Sequence, residues 1–104
     1  MVGEALRAIA EPRRREILEL IKDEERSVGQ IAAEFDVSRP AISQHLAVLE
    51  SAGLVTVAQS GTRRLYRARP EGMAELRSYI DHFWTENLAS LKDEAEARTP
   101  GASE

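Results

Sequence analysis

The chain has 104 residues, of which 42% are hydrophobic and 31% charged, and a formal net charge of −4 at pH 7. This length predicts one domain near the lower size limit for an adequate core, so pairing with a second copy is expected. The absence of cysteine excludes disulfides and thiolate metal sites, and the lack of a long apolar run or a secretory signal predicts a cytoplasmic protein with no membrane partner.

Two helices are predicted in the first part of the chain. Leu6 and Ile9 indicate a short first helix that ends near Ala10, because Glu11 precedes a proline and is disfavoured in a helix. Pro12 begins the second helix. The predicted buried side of this second helix consists of Ile17, Leu18, Leu20 and Ile21.

A capping box predicts the start of a third helix. Ser27 and Gln30 have its spacing, and an apolar repeat with helical period follows in Val28, Ile31, Ala32 and Phe35. Only Asp36 and Val37 separate this repeat from Ser38, the expected N-cap of a fourth helix over residues 38–52. Two helices joined by so short a turn must cross at a steep angle.

The fourth helix is predicted to expose a face with no carboxylate in its N-terminal half. Ile42, Leu46 and Leu49 fall on one side at about 100° per residue, with His45 and Ala52 at the border. The opposite side carries Pro40, Ser43, Gln44, Ala47 and Ser51. Gly53 supplies the left-handed position after the helix.

This pair of helices has the helix-turn-helix pattern, in which the second helix enters the DNA major groove. Gln44 can pair with adenine, Arg39 with guanine or a phosphate, and Ser43 with either kind of base edge. A carboxylate at these positions would be repelled by phosphates. An ordinary solvated helix face is the alternative interpretation.

A basic hairpin is predicted next. Two strand-like runs, 55–58 and 64–68, are joined around Ser60 and Gly61. Residues 55–69 contain four arginines and no acidic residue, whereas the segments before and after are each net negative. A helix-turn-helix followed by a basic hairpin is a winged helix, so the predicted fold is mainly α with a small β-hairpin. The alternative is a strand edge that charge protects from pairing.

The last helix is predicted from residue 71 to about 97, a length of about 40 Å. Its apolar stripe consists of Leu76, Ile80, Phe83, Trp84, Leu88 and Leu91. Because a stripe of this width would be an exposed patch in a monomer, we expect a homodimer interface formed by this helix with Leu6 and Ile9. The alternative is that the stripe packs on its own domain. Residues 1–97 then form one DNA-binding and dimerisation domain, and residues 98–104 a flexible tail.

Most of the chain resembles the ArsR-type winged-helix repressors of bacteria. The similarity covers "AEPRRREILELI", the run "SVGQIAAEFDVSRPAISQHLAVLESAGLVTVAQSGTRRLYRA" and the helix after it, and is most specific in "ISQHLAVLESAGLV" and "GTRRLYR". The resemblance implies a homodimeric transcriptional repressor that binds double-stranded DNA. It also implies base-reading positions for Arg39, Pro40, Ser43 and Gln44, and backbone contacts for the arginines of the wing.

His45 aligns with a histidine of the family's recognition-helix motif. Because this residue borders the core, a structural or phosphate-contacting role is favoured over base readout. The candidate DNA-binding residues are therefore Ser38, Arg39, Pro40, Ser43, Gln44, His45, Gln59, Thr62, Arg63 and Arg64. Two copies would place two recognition helices in successive major grooves, which predicts an inverted-repeat operator with half-sites about one turn apart.

Many members of that family sense metals, and this sequence departs from their patterns. It has "QIAAEF" where the cysteine motif would lie, and Asp81 and His82 are neighbours with no second histidine downstream. Adjacent helical positions do not face one site, and zinc needs about four ligands. We therefore predict no metal and no cofactor, while the last helix, "YIDHFWTENL", resembles that of a non-metal branch. The inducer is left open.

Two other classes of function are alternatives. A winged helix can be a protein-interaction module, which would bind DNA only non-specifically. An enzyme is disfavoured because the sequence has no glycine-rich phosphate loop, nucleophile elbow or paired-carboxylate spacing. The arginines of "PRRREI", near the start of the second helix, are interpreted as a solvated face, although Arg14 or Arg15 could reach a phosphate.

Overall fold

The computed structural model describes the backbone of residues 2–98 and the side chains of residues 2–86. Within that range the chain order of elements is α1 (Val2–Ile9), α2 (Pro12–Ile21), β1 (Arg26–Ser27), α3 (Val28–Phe35), α4 (Arg39–Ser51), β2 (Val55–Ser60), β3 (Arg63–Ala68) and α5 (Pro70–Arg98). None of these described helices is both long and apolar enough to cross a membrane.

The three strands form an antiparallel sheet in the order β1, β3, β2. The hairpin is longer than predicted, because Ser60 pairs with Arg63 and the turn is Gly61 and Thr62 rather than Ser60 and Gly61. Gly61 has a φ of 64°, which a two-residue turn of this kind requires at its first position. Strand β1 was not predicted, since two residues are too few for an alternating pattern. It pairs Ser27 with Leu65 and so ties the start of α3 to the wing.

The core lies where α2, α3 and α4 meet the base of the sheet. Its fully buried large side chains are Ile17, Ile21, Ile31, Ile42, Leu46, Leu49 and Leu54. The six of these residues that lie in the three helices were predicted to be buried, and the structure confirms them. Leu54 follows α4 and was not part of that prediction. Leu20 was predicted to be buried but is half-buried at the edge of the core.

The turn between α3 and α4 depends on one residue with positive φ. Asp36 ends α3 in the left-handed region, with φ 55° and ψ 47°. The Val37 amide donates to the carbonyl of Ala32 at 3.1 Å, and the hydroxyl of Ser38 accepts from the Ala41 amide at 3.3 Å. The two helices of the helix-turn-helix are therefore fixed to each other by short-range backbone geometry.

We expect Asp36→Val to lower the free energy of unfolding by about 1–2 kcal/mol, because a β-branched residue is strained in the left-handed region. Asp36→Asn, which tolerates this conformation, should unfold within about 0.5 kcal/mol of the wild type. Urea unfolding of both variants measures the difference. Equal stability of the Val and Asn variants would contradict the assigned turn geometry.

The end of α4 is tied to the start of α5. The amide of Gly53, at φ 78°, donates to the Glu50 carbonyl at 3.0 Å, and the Leu54 amide donates to the Leu49 carbonyl at 3.0 Å, which is a Schellman ending. Arg69 Nη1 donates to the Gly53 carbonyl at 3.2 Å. A Cβ on Gly72 of α5 would overlap that same carbonyl oxygen. We call Gly53, Arg69 and Gly72 the α4–α5 joint.

A helix-turn-helix, a hairpin wing and flanking helices α1 and α5 that contact each other make this a winged helix-turn-helix fold, as predicted. The last helix begins one residue before its predicted start, and its last residue, Arg98, is the first residue of the predicted tail. The rest of that tail, 99–104, lies outside the described residues.

Candidate nucleic-acid interface

Helix α4 presents its small polar side chains to solvent, as predicted. Pro40, Ser43, Gln44 and Ala47 are exposed, whereas Ile42, Leu46 and Leu49 on the other side are fully buried. The hydroxyl of Ser38 is used to cap the helix, although its residue is exposed. The exposed N-terminal half of α4 therefore offers one amide, one serine hydroxyl and small apolar surfaces, with no negative charge.

Val48 lies on the same exposed face and was missed by the sequence analysis. It is 40% exposed, and it follows Gln44 by four residues, one helical turn further along. A branched apolar side chain beside an amide suits contact with a thymine methyl group in the major groove. The sequence indicated this position, because Val48 is an apolar residue that falls outside the buried face of the predicted recognition helix.

Three arginines line a groove between the start of α3 and the wing. The groove has a volume of about 550 Å³ and is lined by Ser27, Val28, Gly29, Gln30, Ala33, Arg39, Arg63 and Arg64. We call it the arginine groove. No acidic residue lines it, and the N-terminus of α3, which carries partial positive charge, opens into it. Its electrostatics favour an anion.

Arg39 reaches into this groove rather than along the outer face of α4. Its guanidinium lies over Gly29, so close that a Cβ there would be 2.9 Å from Nη2. In the structure the Arg39 side chain therefore lies with the wing arginines. The family resemblance had implied a base-reading position for it beside Ser43 and Gln44. Whether it contacts a base or a phosphate stays a prediction.

The wing presents its basic residues near its tip. The Arg64 guanidinium lies 5.7 Å from the ring centre of Tyr66, a cation–π contact that restricts the arginine. Arg63 and Thr62 are exposed, and the Gln59 amide donates to the Gly61 carbonyl at 3.4 Å within the wing. Arg69, counted in the basic segment, is half-buried in the α4–α5 joint.

His45 is half-buried between α4 and the first two helices. Its Nδ1 accepts a hydrogen bond from Arg14 Nε at 3.3 Å. Arg14 also donates through Nη1 to the carbonyls of Ala8, at 3.1 Å, and Arg7, at 3.5 Å. From the sequence, Arg14 is expected on a solvated face or at a phosphate, and its separation of 31 residues from His45 gives no local signal of this bond.

An aromatic patch lies on α5 past the buried Leu76, on about the same side of the helix. Tyr79, Phe83 and Trp84 are 42%, 45% and 53% exposed. Neighbouring ring centres are 6.3 Å apart for the first two rings and 5.8 Å for the last two. Tyr79 was not among the predicted interface residues, although it precedes Phe83 by one turn. Exposed aromatic clusters of this kind mark interfaces.

The other predicted interface residues divide into three groups. Leu76 is only 3% exposed within its own chain, so its side chain packs in the core, and its place at the interface stays a prediction. Leu6, Ile9 and Ile80 are half-buried against that core and keep an exposed part. Leu88 and Leu91 lie outside the residues whose side chains are described.

Asp81 and His82 have different partners on α5. Asp81 pairs with Arg77 at 3.8 Å, and His82 Nε2 lies 3.1 Å from Glu86. Over the described side chains, no three histidine or acidic residues are grouped so that they could hold a metal. The absence of a metal switch stays a prediction.

Comparison with known proteins gives consistent similarities. Residues 11–57 match the model of the family described as "Bacterial regulatory protein, arsR family". The HTH-type transcriptional regulator Rv2034 of Mycobacterium tuberculosis is 46% identical over 84 residues, or 81% of this chain and 78% of that protein. A crystal structure of a possible transcriptional regulator for arsenical resistance is 47% identical, with a TM-score of 0.72, and the match covers 86% of this chain and 94% of that one.

A third similarity is to a solution structure. It is a fragment of Mb0332 from Mycobacterium bovis, described as a homodimeric winged helix-turn-helix DNA-binding domain and a possible ArsR-family transcriptional regulator. The two chains are 34% identical, with a TM-score of 0.67, over 84% of this chain and 81% of that fragment.

Proposed function

Because the chain belongs to the ArsR family of bacterial regulatory proteins, we propose that it is a homodimeric repressor that binds an inverted-repeat operator in the bacterial cytoplasm. Members of this family are transcriptional regulators and not enzymes, which removes the enzyme alternative. The observation that carries the proposal is that the exposed N-terminal half of α4, which has no carboxylate, lies beside the arginine groove.

In this proposal α4 lies in the major groove with its N-terminal half first. Gln44 reads an adenine edge through its amide, Ser43 bonds a neighbouring base, and Val48 contacts a thymine methyl group. Small side chains at Pro40 and Ala47 allow the helix to approach the groove floor. The C-terminal end of α4 is held by the α4–α5 joint, which limits the tilt of α4.

The arginine groove binds the DNA backbone. Arg39, Arg63 and Arg64 all line a space that the first turn of α3 also lines, so a phosphate there would be neutralised by the arginines and by the positive end of that helix. We therefore propose that Arg39 is a phosphate contact rather than a base-reading residue. The position of its guanidinium over Gly29, at the arginine groove, supports this assignment.

Dimerisation through α1 and α5 gives the operator its symmetry. The homodimeric description of the Mb0332 fragment and the exposed aromatic patch both support a second copy on this face. Two α4 helices related by a two-fold axis would meet major grooves about one turn apart, and repression follows when the bound dimer occludes a promoter. The effector that releases it is a separate question.

We expect Gln44→Ala to reduce operator binding by about 1–3 kcal/mol and to relax preference at one base position, with little effect on random DNA. Arg63→Ala and Arg64→Ala should weaken both DNAs alike and reduce the salt dependence by about one phosphate contact each. The operator is first selected from a random duplex pool, and fluorescence anisotropy at several salt concentrations then measures binding.

Thr56→Ala is a matched control, because Thr56 is exposed near the base of β2, away from the wing tip. This variant should bind both DNAs like the wild type. Equal losses on operator and random DNA for Gln44→Ala would remove Gln44 from base readout. A wild-type protein that selects no sequence from the pool, and binds DNA only non-specifically, would favour the protein-interaction alternative.

A further inference from the structure

We infer that Arg14 and His45 form a positioning pair that locks the recognition helix α4 to the end of α1, and that His45 acts on DNA binding through Arg14 rather than by contacting DNA. This inference rests on the proposed function, because it assigns how the reading helix is held. The hydrogen bond from Arg14 Nε to His45 Nδ1 at 3.3 Å is its central observation.

Arg14 connects three helices at one point. It lies in the first turn of α2, donates through Nη1 to the Ala8 and Arg7 carbonyls near the end of α1, and donates through Nε to the middle of α4. The end of α1 carries partial negative charge from its unpaired carbonyls, which favours a guanidinium there. Since the guanidinium has five donors in a rigid fork, it can bond α1 and α4 at once.

This bond also determines the tautomer of His45. The guanidinium stays protonated and can only donate, so His45 Nδ1 must accept and the ring proton resides on Nε2. The ring plane is then set by a partner that is itself fixed to α1. His45 lies at the border of the two faces of α4, between Gln44, which faces solvent, and Leu46, which is buried, so its bond to Arg14 holds that edge of α4 against α2 and the end of α1.

The two flanking helices give the pair a role in the dimer. Helix α1 contacts both α4 and α5, which carries the aromatic patch, and Arg14 adds hydrogen bonds that connect the end of α1 to α4. A recognition helix that is loose against α1 would still be attracted to phosphates, but it would meet the two half-sites in variable orientations. Loss of the pair should therefore reduce operator affinity more than affinity for random DNA.

Two amide substitutions at residue 45 separate this role from direct DNA contact. Asn places an acceptor oxygen near the position of Nδ1 and has no atom near Nε2, whereas Gln places its amide near Nε2 and has no acceptor near Nδ1. We expect His45→Asn to retain operator affinity within about threefold and His45→Gln and Arg14→Met to lose about tenfold, with random-DNA binding changed less than threefold. A direct DNA contact by Nε2 predicts the opposite order, and that order would overturn the inference.

Arg15→Met is the matched control. Arg15 donates to the carbonyls of Ile9, at 2.7 Å, and Ala10, at 3.3 Å, so it also closes the end of α1, but within the described chain it has no hydrogen bond to α4. It should change stability without changing the ratio of operator to random-DNA affinity. If Arg15→Met reduces that ratio as much as Arg14→Met, the effect belongs to α1 and not to the pair.

A DNA-free measurement keeps the inference separate from the proposed function. Long-range proton–nitrogen NMR spectra of the free protein should show His45 with Nε2 protonated and Nδ1 unprotonated, and Arg14→Met should weaken that preference. In urea unfolding, Arg14→Met and His45→Gln combined should cost less than the sum of the single changes. Wild-type spectra with Nδ1 protonated, or strictly additive changes, would refute the pair even if the protein binds its operator. Failure to bind any operator, with the tautomer as expected, would refute only the proposed function.

Discussion

Trp84→Glu is expected to convert the dimer to a monomer and to reduce operator affinity by roughly 100-fold or more. Trp84 is 53% exposed and lies edge-on against Phe83, with ring centres 5.8 Å apart. In an isologous interface each substitution occurs twice, so two carboxylates would enter an apolar contact. Binding of two half-sites by one dimer gains a factor of about 10² to 10⁴ over single-site binding, and a monomer loses it.

Sedimentation at micromolar concentration and anisotropy with a whole operator and a single half-site measure this effect. The variant should bind the two DNAs almost equally, whereas the wild type should strongly prefer the whole operator. Ser78→Glu is the matched control, because Ser78 is exposed and lies opposite the aromatic patch on α5 at about 100° per residue. A Trp84→Glu protein that stays dimeric would show that the second copy binds another face.

The main helices of the DNA-binding part could be predicted because each carries a local signal. The capping box at Ser27, the cap at Ser38 and the glycine at 53 fix the ends of α3 and α4 within the chain itself, and the structure confirms each one. The helical period of the apolar residues gives the buried faces. The exposed face of α4 follows from the same period, which is why Ser43 and Gln44 were placed correctly.

Features that depend on contacts distant in sequence could not be predicted. Strand β1 exists because Arg26 and Ser27 pair with Tyr66 and Leu65, and two residues have no pattern of their own. The position of Arg39 over Gly29 and the bond between Arg14 and His45 depend on how helices pack, which periodicity does not give. The burial of Leu76 within its own chain could not be predicted for the same reason, since an apolar stripe on a helix does not show where the core of the domain ends.

Gly72→Ala is expected to lower the free energy of unfolding by about 1–3 kcal/mol, although alanine is the better helix former. The added Cβ would overlap the carbonyl oxygen of Gly53 and lie 3.3 Å from Arg69 Nη1. Backbone cannot move aside as the end of a side chain can, so the first turn of α5 must separate from the end of α4. The hydrogen bond from Arg69 to Gly53, at 3.2 Å, would be disturbed with it.

The same change should also reduce DNA binding, because the α4–α5 joint links α5, which carries the aromatic patch, to α4, the proposed reading helix. We expect operator affinity to fall more than affinity for random DNA, and the preferred half-site spacing selected from a random pool to broaden. Gly3→Ala is the matched control, since a Cβ on Gly3 meets only Arg7 Nη1 at 3.8 Å and should leave stability unchanged or raise it by about 0.5–1 kcal/mol. If Gly72→Ala instead behaves like Gly3→Ala in urea unfolding and in spacing selection, α5 is free to move relative to α4. The packing of α4 against α5 within one protomer would then not determine the distance between the two α4 helices of the dimer.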